Sequence, residues 1–189
     1  MIGVTKTNVL LVIAFISFVA AQNGKQGSPK PQPAPEMQRV AKMLVGTWKV
    51  DLDYAQGGSM PNGGKGTAHS VIKPGPGGLS LIEDFEGDLP RGSLHALYWW
   101  DKKAQSFKAV GCDDFSDEGC ITTQDQDGRA QWKGNEVVWQ LTVEKDSKNV
   151  PAKIVWAEKG SHSFVVNMYI ADANGVLKRD WTFLHTCVK

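Results

Sequence analysis

The sequence lacks most of the local patterns that mark a catalytic or metal-binding chain. Its four histidines, His69, His95, His162 and His185, fall in no His-x-His, His-Glu-x-x-His or Cys/His zinc spacing, so a local metal motif is absent. No Gly-x-Ser-x-Gly elbow occurs, which removes the strand-to-helix route to serine hydrolysis. The glycine-rich stretches GPGG and PNGGKG open no helix, and so offer no helix N-terminus to a phosphate. Charge of one sign is lacking too: apart from Lys6, 20 basic side chains balance 20 acidic ones. Such a balance gives neither nucleic acid nor an anionic membrane an electrostatic footprint, and neither is expected as a partner.

Long apolar runs are scarce, and the one present is VLLVIAFISFVAA, Val9 to Ala21. It is too short for a comfortable transmembrane helix and follows a single basic residue, as a secretory signal does. Val19 and Ala21 suit the positions three and one before a cut, so residues 1–21 are expected to be a signal peptide removed before Gln22. The alternative is an uncleaved anchor. No cysteine follows the run, which excludes a bacterial lipoprotein anchor. The expectation is an exported protein, periplasmic or extracellular, with no integral membrane span after cleavage.

Residues 22–36 hold four prolines and no large apolar side chain, so they read as an extended, solvated linker. Residues 37–189 are enough for one domain with a real core. Only three cysteines occur, Cys112, Cys120 and Cys187. In an oxidising compartment the first two, bracketing DDFSDEG between two strand candidates, are expected to pair.

Helical periodicity is confined to PEMQRVAKML, residues 35–44, where Met37, Val40, Ala41 and Leu44 share a face. Elsewhere the period is two. TWKVDLDY puts Trp48, Val50, Leu52 and Tyr54 on one side and polar residues on the other, the pattern of an antiparallel strand with one buried face. Further strand candidates cover 66–73, 79–86, 93–101, 106–112, 120–124, 129–133, 136–145, 153–159, 162–170 and 176–188. PGPGG, DQDG, KGNE and DANG stand between them as turn signals. The expected fold is all-β: an antiparallel up-and-down barrel of about 8 to 10 strands with a short N-terminal helix, favoured over a sandwich because closure removes exposed edges.

A helical turn followed by Gly46-Thr47-Trp48 at the mouth of the first strand resembles the Gly-x-Trp signature of the lipocalin and calycin superfamily. The resemblance implies that Trp48 closes the barrel bottom and that a basic side chain from the last strand lies over its ring. In LKRDWTFLH that side chain is Arg179, which shares parity with Trp181, Phe183 and His185. Gly46, Trp48 and Arg179 are therefore expected to be structural. The order LVGTWKV, GGKGTAHSVIKPGPGGLSLIEDFEG and LYWWDKKAQSFKAVGCDDF is also similar to a secreted bacterial lipocalin-like family without an established activity, over most of residues 44–188.

A barrel of this kind implies an interior site for a small apolar or amphipathic molecule, with Tyr98, Trp100, Trp139, Phe164, Phe183 and His185 as candidate lining. Two alternatives stand beside it. One is a cavity enzyme using Glu83 or His185 as acid-base group, with Glu83 inward if it follows Leu81 and Phe85, outward if Ile82 is the core residue. The other is a filled barrel acting as an interaction module through Trp99 and the acidic loop. That loop, Asp113 to Glu118, reads as solvated and lacks EF-hand spacing. No cofactor is expected. Haem on His185 is the alternative, since haem-binding ten-stranded barrels similar to nitrobindin take a histidine near the end of the last strand, although their Pro-Thr-Ile-type continuation is absent here.

Overall fold

The computed structural model describes residues 29–88, 92–114, 119–122, 129–145 and 147–188. The expected signal peptide, most of the acidic loop and the first seven linker residues lie outside the described residues. Residues 31–189 form one compact unit. It consists of one helix, α1 (Pro35–Leu44), and the strands β1 (Gly46–Gln56), β2 (Asn62–Pro74), β3 (Ser80–Gly87), β4 (Ser93–Asp101), β5 (Ser106–Asp113), β6 (Cys120–Thr122), β7 (Arg129–Lys133), β8 (Glu136–Lys145), β9 (Lys148–Gly160), β10 (Ser163–Ala171) and β11 (Leu177–Cys187).

Strands β1 to β6 and β7 to β11 pair antiparallel in chain order, β7 pairs with β5 rather than with β6, and β1 meets β11 to close the ring. β4 pairs with β5 from Leu94↔Asp113 to Asp101↔Ser106, and β1 pairs with β11 from Trp48↔Cys187 to Tyr54↔Trp181. β6 and β7 both pair with β5, the first at Val110 to Cys112 and the second at Phe107. They are two pieces of one place in the ring, which makes an up-and-down barrel of ten positions. Pairing of β1 with β11 and of β4 with β5 covers long edges that another chain could otherwise extend.

Alternation decides which side chains enter. Trp48, Val50 and Leu52 of β1, Ala68, Ser70 and Ile72 of β2, and Leu81, Glu83 and Phe85 of β3 are buried, with more exposed residues between them. The inward reading of Glu83 is thus the one the fold adopts. Cys112 and Cys120 are opposite partners on β5 and β6 and form a disulfide, Cα to Cα 3.9 Å.

One end of the barrel is plugged. Helix α1 starts with Pro35 in its first turn, where a missing N–H costs nothing, and buries Met37, Val40, Met43 and Leu44. Full burial of such side chains is worth about 1.5 to 3 kcal/mol each, enough to hold a ten-residue helix that would not persist alone. Arg39, on its outer face, lies 3.7 Å from the Trp132 ring centroid and donates to the Gly134 carbonyl at 2.8 Å and to Asn135 Oδ1 at 3.2 Å. These contacts tie the helix to the β7–β8 turn. Packing begins before the helix: Gln38 donates to the Pro33 carbonyl, and Ala34 is buried. The end of the segment read as linker is therefore part of the domain. Among the described residues no helix is long and apolar enough to cross a membrane.

Candidate functional site

The barrel interior is filled at the helix end and hollow above it. Phe107, fully buried, meets Trp100 at 5.0 Å and Trp132 at 6.5 Å between ring centroids, both edge to face. Above this plug lies a cavity of about 480 Å³, open to solvent, floored by Leu44 and reached at its mouth by Ser59. Five of the six side chains expected to line such a space do so: Tyr98, Trp139, Phe164, Phe183 and His185. Trp100 does not. It points inward on the same face as Tyr98, but sits one inward position closer to the plugged end and is used up against Phe107. Its neighbour Trp99, paired opposite Ser80 and Lys108, is half-exposed on the outer face.

Trp48 lies under the helix, with its indole N–H donating to the Leu44 carbonyl at 2.8 Å and its ring edge-on to Phe164, centroids 4.8 Å apart. The glycine two residues earlier has a steric reason. A Cβ on Gly46 would stand 3.1 Å from two carbons of the Trp48 ring, closer than comfortable carbon–carbon contact.

Arg179 does not cover Trp48. The β1–β11 register sets Trp48 opposite Cys187, so Arg179 is at the other end of the barrel. A bulge also breaks the parity on which the expectation rested: Met168 faces Trp181, but Tyr169 faces Arg179, and Asp180 is the extra residue. A bulge of this kind re-aims the side chains on one side of it. Asp180 turns in and is buried, while Arg179 turns out and pairs with Asp53 at 3.1 Å. The buried Asp180 carboxylate accepts from the Ser59 N–H at 2.8 Å and from the Ser59 hydroxyl, clamping the β1–β2 loop at the mouth. A Cβ on Gly58 would lie 2.2 Å from Asp180 Oδ1, so a larger residue there would push the carboxylate off its bonds to Ser59.

Below the loop is an aromatic collar. Trp181 and Phe183 stack at 4.1 Å, Phe85 and Phe183 at 6.0 Å, and Tyr54 meets Phe183 edge-on at 5.6 Å. Deeper on the wall, Tyr98 meets Trp156 at 5.1 Å, and Trp139 lies 5.2 Å from Trp156.

Glu83, His185 and, less buried, Asp113 interrupt this apolar lining. Glu83 Oε1 accepts from Ser70 Oγ and Oε2 from the Tyr98 hydroxyl, both at 2.7 Å. Burial pushes the carboxyl up from its ordinary value. The two hydroxyl donors oppose that shift without cancelling it, and the Asp84 charge adds a smaller upward push. Tyr98 is raised well above the usual phenol range, by burial first and by the Glu83 charge second. His185 is 2% exposed and lies face to face with Phe164. Burial pushes its imidazole down to about 4, so it is neutral at pH 7. Its Nδ1 lies 3.3 Å from the Phe183 carbonyl. A carbonyl only accepts, which places the ring hydrogen on Nδ1 and leaves Nε2 with its lone pair.

Glu83, Tyr54, Phe85, Trp156 and Trp181 are among the other lining residues and were absent from the expected set. Parity places Tyr54 with Trp48 and Trp181 with Phe183, so a signal for those two existed. The other histidines are on the outside: His95 meets Asp84 Oδ1 at 2.6 Å, and His69 and His162 are exposed. No group of three or more His, Cys, Asp or Glu among the described residues is placed to hold a metal ion.

A closed antiparallel barrel with a helical plug at one end and an aromatic-lined hollow at the other defines the class of molecule. No known family matches the sequence, and no curated protein does. Among solved structures, that of Rv2717c from M. tuberculosis is similar, with a TM-score of 0.54 and 11% identity over 84% of this chain and 100% of that one. At that identity the likeness concerns the fold. A redesigned β-barrel, b11L5F_LGL, aligns with a TM-score of 0.37 at 12% identity, covering 80% of this chain and 96% of that one, too distant to support an argument.

Proposed function

We propose that the chain is an exported lipocalin-like barrel that holds a small apolar or amphipathic molecule in its interior. The observation that carries this reading is the cavity itself. About 480 Å³ walled by Tyr98, Trp139, Trp156, Phe164 and Phe183, with few polar groups, lies in the range of small-molecule sites. A barrel serving only as a scaffold has no use for such a hollow, since filling it would add packing and stability. The export part rests on the apolar run at residues 9–21 and on the Cys112–Cys120 disulfide, which persists in oxidising compartments. The lipocalin-like part rests on Gly46 and Trp48 serving together at the plugged end.

Titration with the neutral probe Nile red, read by quenching of tryptophan emission, tests the reading. One saturable site is expected. Absence of saturable binding by any neutral hydrophobic probe sinks it.

A second occupant is favoured by His185. With Nδ1 tied to the Phe183 carbonyl, its Nε2 has the lone pair and the backbone support that iron-ligating histidines use. His185 would hold the iron of a haem within the cavity, and haem bound there would supply redox or diatomic-gas chemistry. Hemin added to the purified protein, followed by its absorbance with and without His185→Phe, decides this reading.

A further inference from the structure

Glu83 poses a question that the apolar-carrier reading leaves open. A carboxyl group is buried in the mostly apolar wall of a cavity that Asp113 and His185 also line, and among the described residues no lysine or arginine is seen to pair with it. Three ion pairs of the described residues, Lys49 with Asp51, His95 with Asp84 and Arg179 with Asp53, lie on exposed side chains. Buried charges are normally paired. The hydrogen bonding nevertheless suits the ionised form, because both oxygens accept, Oε1 from Ser70 and Oε2 from Tyr98. A protonated carboxyl would have to spend one oxygen as a donor, and one of those hydroxyls would have to turn round.

Beside this carboxylate stand three aromatic rings of the same cavity. Tyr98, itself bonded to Glu83, lies 5.1 Å from Trp156 and 6.4 Å from Trp139, and the two indoles are 5.2 Å apart. Electron-rich rings beside an acidic group are the chemistry that recognises organic ammonium ions. We infer that the cavity is selective for a cationic amphiphile, an alkyl ammonium whose charged head sits at Glu83 between Tyr98, Trp139 and Trp156 and whose apolar part fills the space beneath the mouth. The ligand then supplies the counter-charge that the wall lacks. One feature argues for the opposite polarity: Trp139 Nε1 is buried without a hydrogen-bond partner, a donor that would suit an anion or a carbonyl.

The inference rests on the proposed reading of the cavity as a binding site, and matched probes separate the two. Affinities of octyltrimethylammonium, octan-1-ol and octanoate are measured on the full mature chain by displacement of Nile red. The ammonium is expected to bind on the order of tenfold tighter than the alcohol, and octanoate weaker than both. Glu83→Gln is expected to bring the ammonium-to-alcohol ratio close to one. Trp156→Leu, which keeps the carboxylate and removes one ring, is expected to lower that ratio and serves if the first variant does not fold. Equal affinity for ammonium and alcohol in the wild type, or tightest binding by octanoate, overturns the inference while leaving the apolar-carrier reading standing. Failure of Nile red and all three ligands to bind overturns both.

Discussion

The imidazole of His185 lies flat against the ring of Phe164, centroids 4.0 Å apart and planes 15° from parallel. Burial in this position strips water from the ring, which a neutral imidazole tolerates and a charged one does not, and the group is accordingly held down at about 4.

Acid sensitivity follows from that burial. The unfolded chain takes up the His185 proton near pH 6.5, the folded chain near 4. Stability from this group is complete above pH 6.5 and declines as pH falls toward 4, by about 3 kcal/mol in all. Urea unfolding of wild type and His185→Phe from pH 7.5 to 4 checks it. The variant should lose markedly less stability over that span, and parallel curves would contradict the burial argument.

Glu83 works with the opposite sign. Its folded-state value is raised, so its contribution is full below the ordinary carboxylate range and is lost as pH climbs through the raised value. Glu83→Gln keeps a group that can accept from one hydroxyl and donate to the other, and has no charge to desolvate. The melting temperature of the variant relative to wild type should therefore rise with pH. A difference that stays constant from pH 4 to 8 would count against this account.

Gly46→Ala tests the glycine of the Gly-Thr-Trp step. The added methyl meets the Trp48 ring at 3.1 Å, and the indole cannot swing away without breaking its bond to the Leu44 carbonyl. Overpacking of this sort costs about 1 to 3 kcal/mol. Denaturant midpoints, together with the tryptophan emission of the folded state, measure it; ligand affinity at the far end should change little.

Arg179→Ala and Arg39→Ala form a contrasting pair. The first removes an exposed ion pair with Asp53, which is worth about 0 to 1 kcal/mol and is screened by salt. The second removes a cation–π contact to Trp132 and two hydrogen bonds that moor the helix, a loss of about 1 to 2 kcal/mol. Thermal melts at two salt concentrations distinguish them. A larger loss from Arg179 would restore the last strand as the source of the structural cation.

Period-two alternation made most of the barrel legible, because inward side chains repeat strictly where strands are regular; β4, β7 and β8 fall on their expected limits. Parity also separated Trp99 from Trp100. It says which face a side chain takes but not how deep along the barrel axis it sits, and depth is what puts Trp100 in the filled half and Tyr98 in the hollow. Glu83 was ambiguous because a carboxylate among Leu81, Ile82 and Phe85 reads equally well on either face. Arg179 was misplaced because the bulge at Asp180 is a two-strand property. Only the pairing with β10 shows that one residue too many stands between Trp181 and Arg179, the partners of Met168 and Tyr169.

The seam between β1 and β11 has a temporal side. Its two strands are the first and the last of the sheet to be synthesised, and their register runs from Trp48↔Cys187 to Tyr54↔Trp181. Contacts so distant in sequence form late, since the intervening chain must be ordered before they repay its closure entropy. Until β11 arrives, β1 and β10 present bare hydrogen-bonding rims. A chain truncated before Leu177 would keep both rims for good and would self-associate rather than remain a smaller barrel.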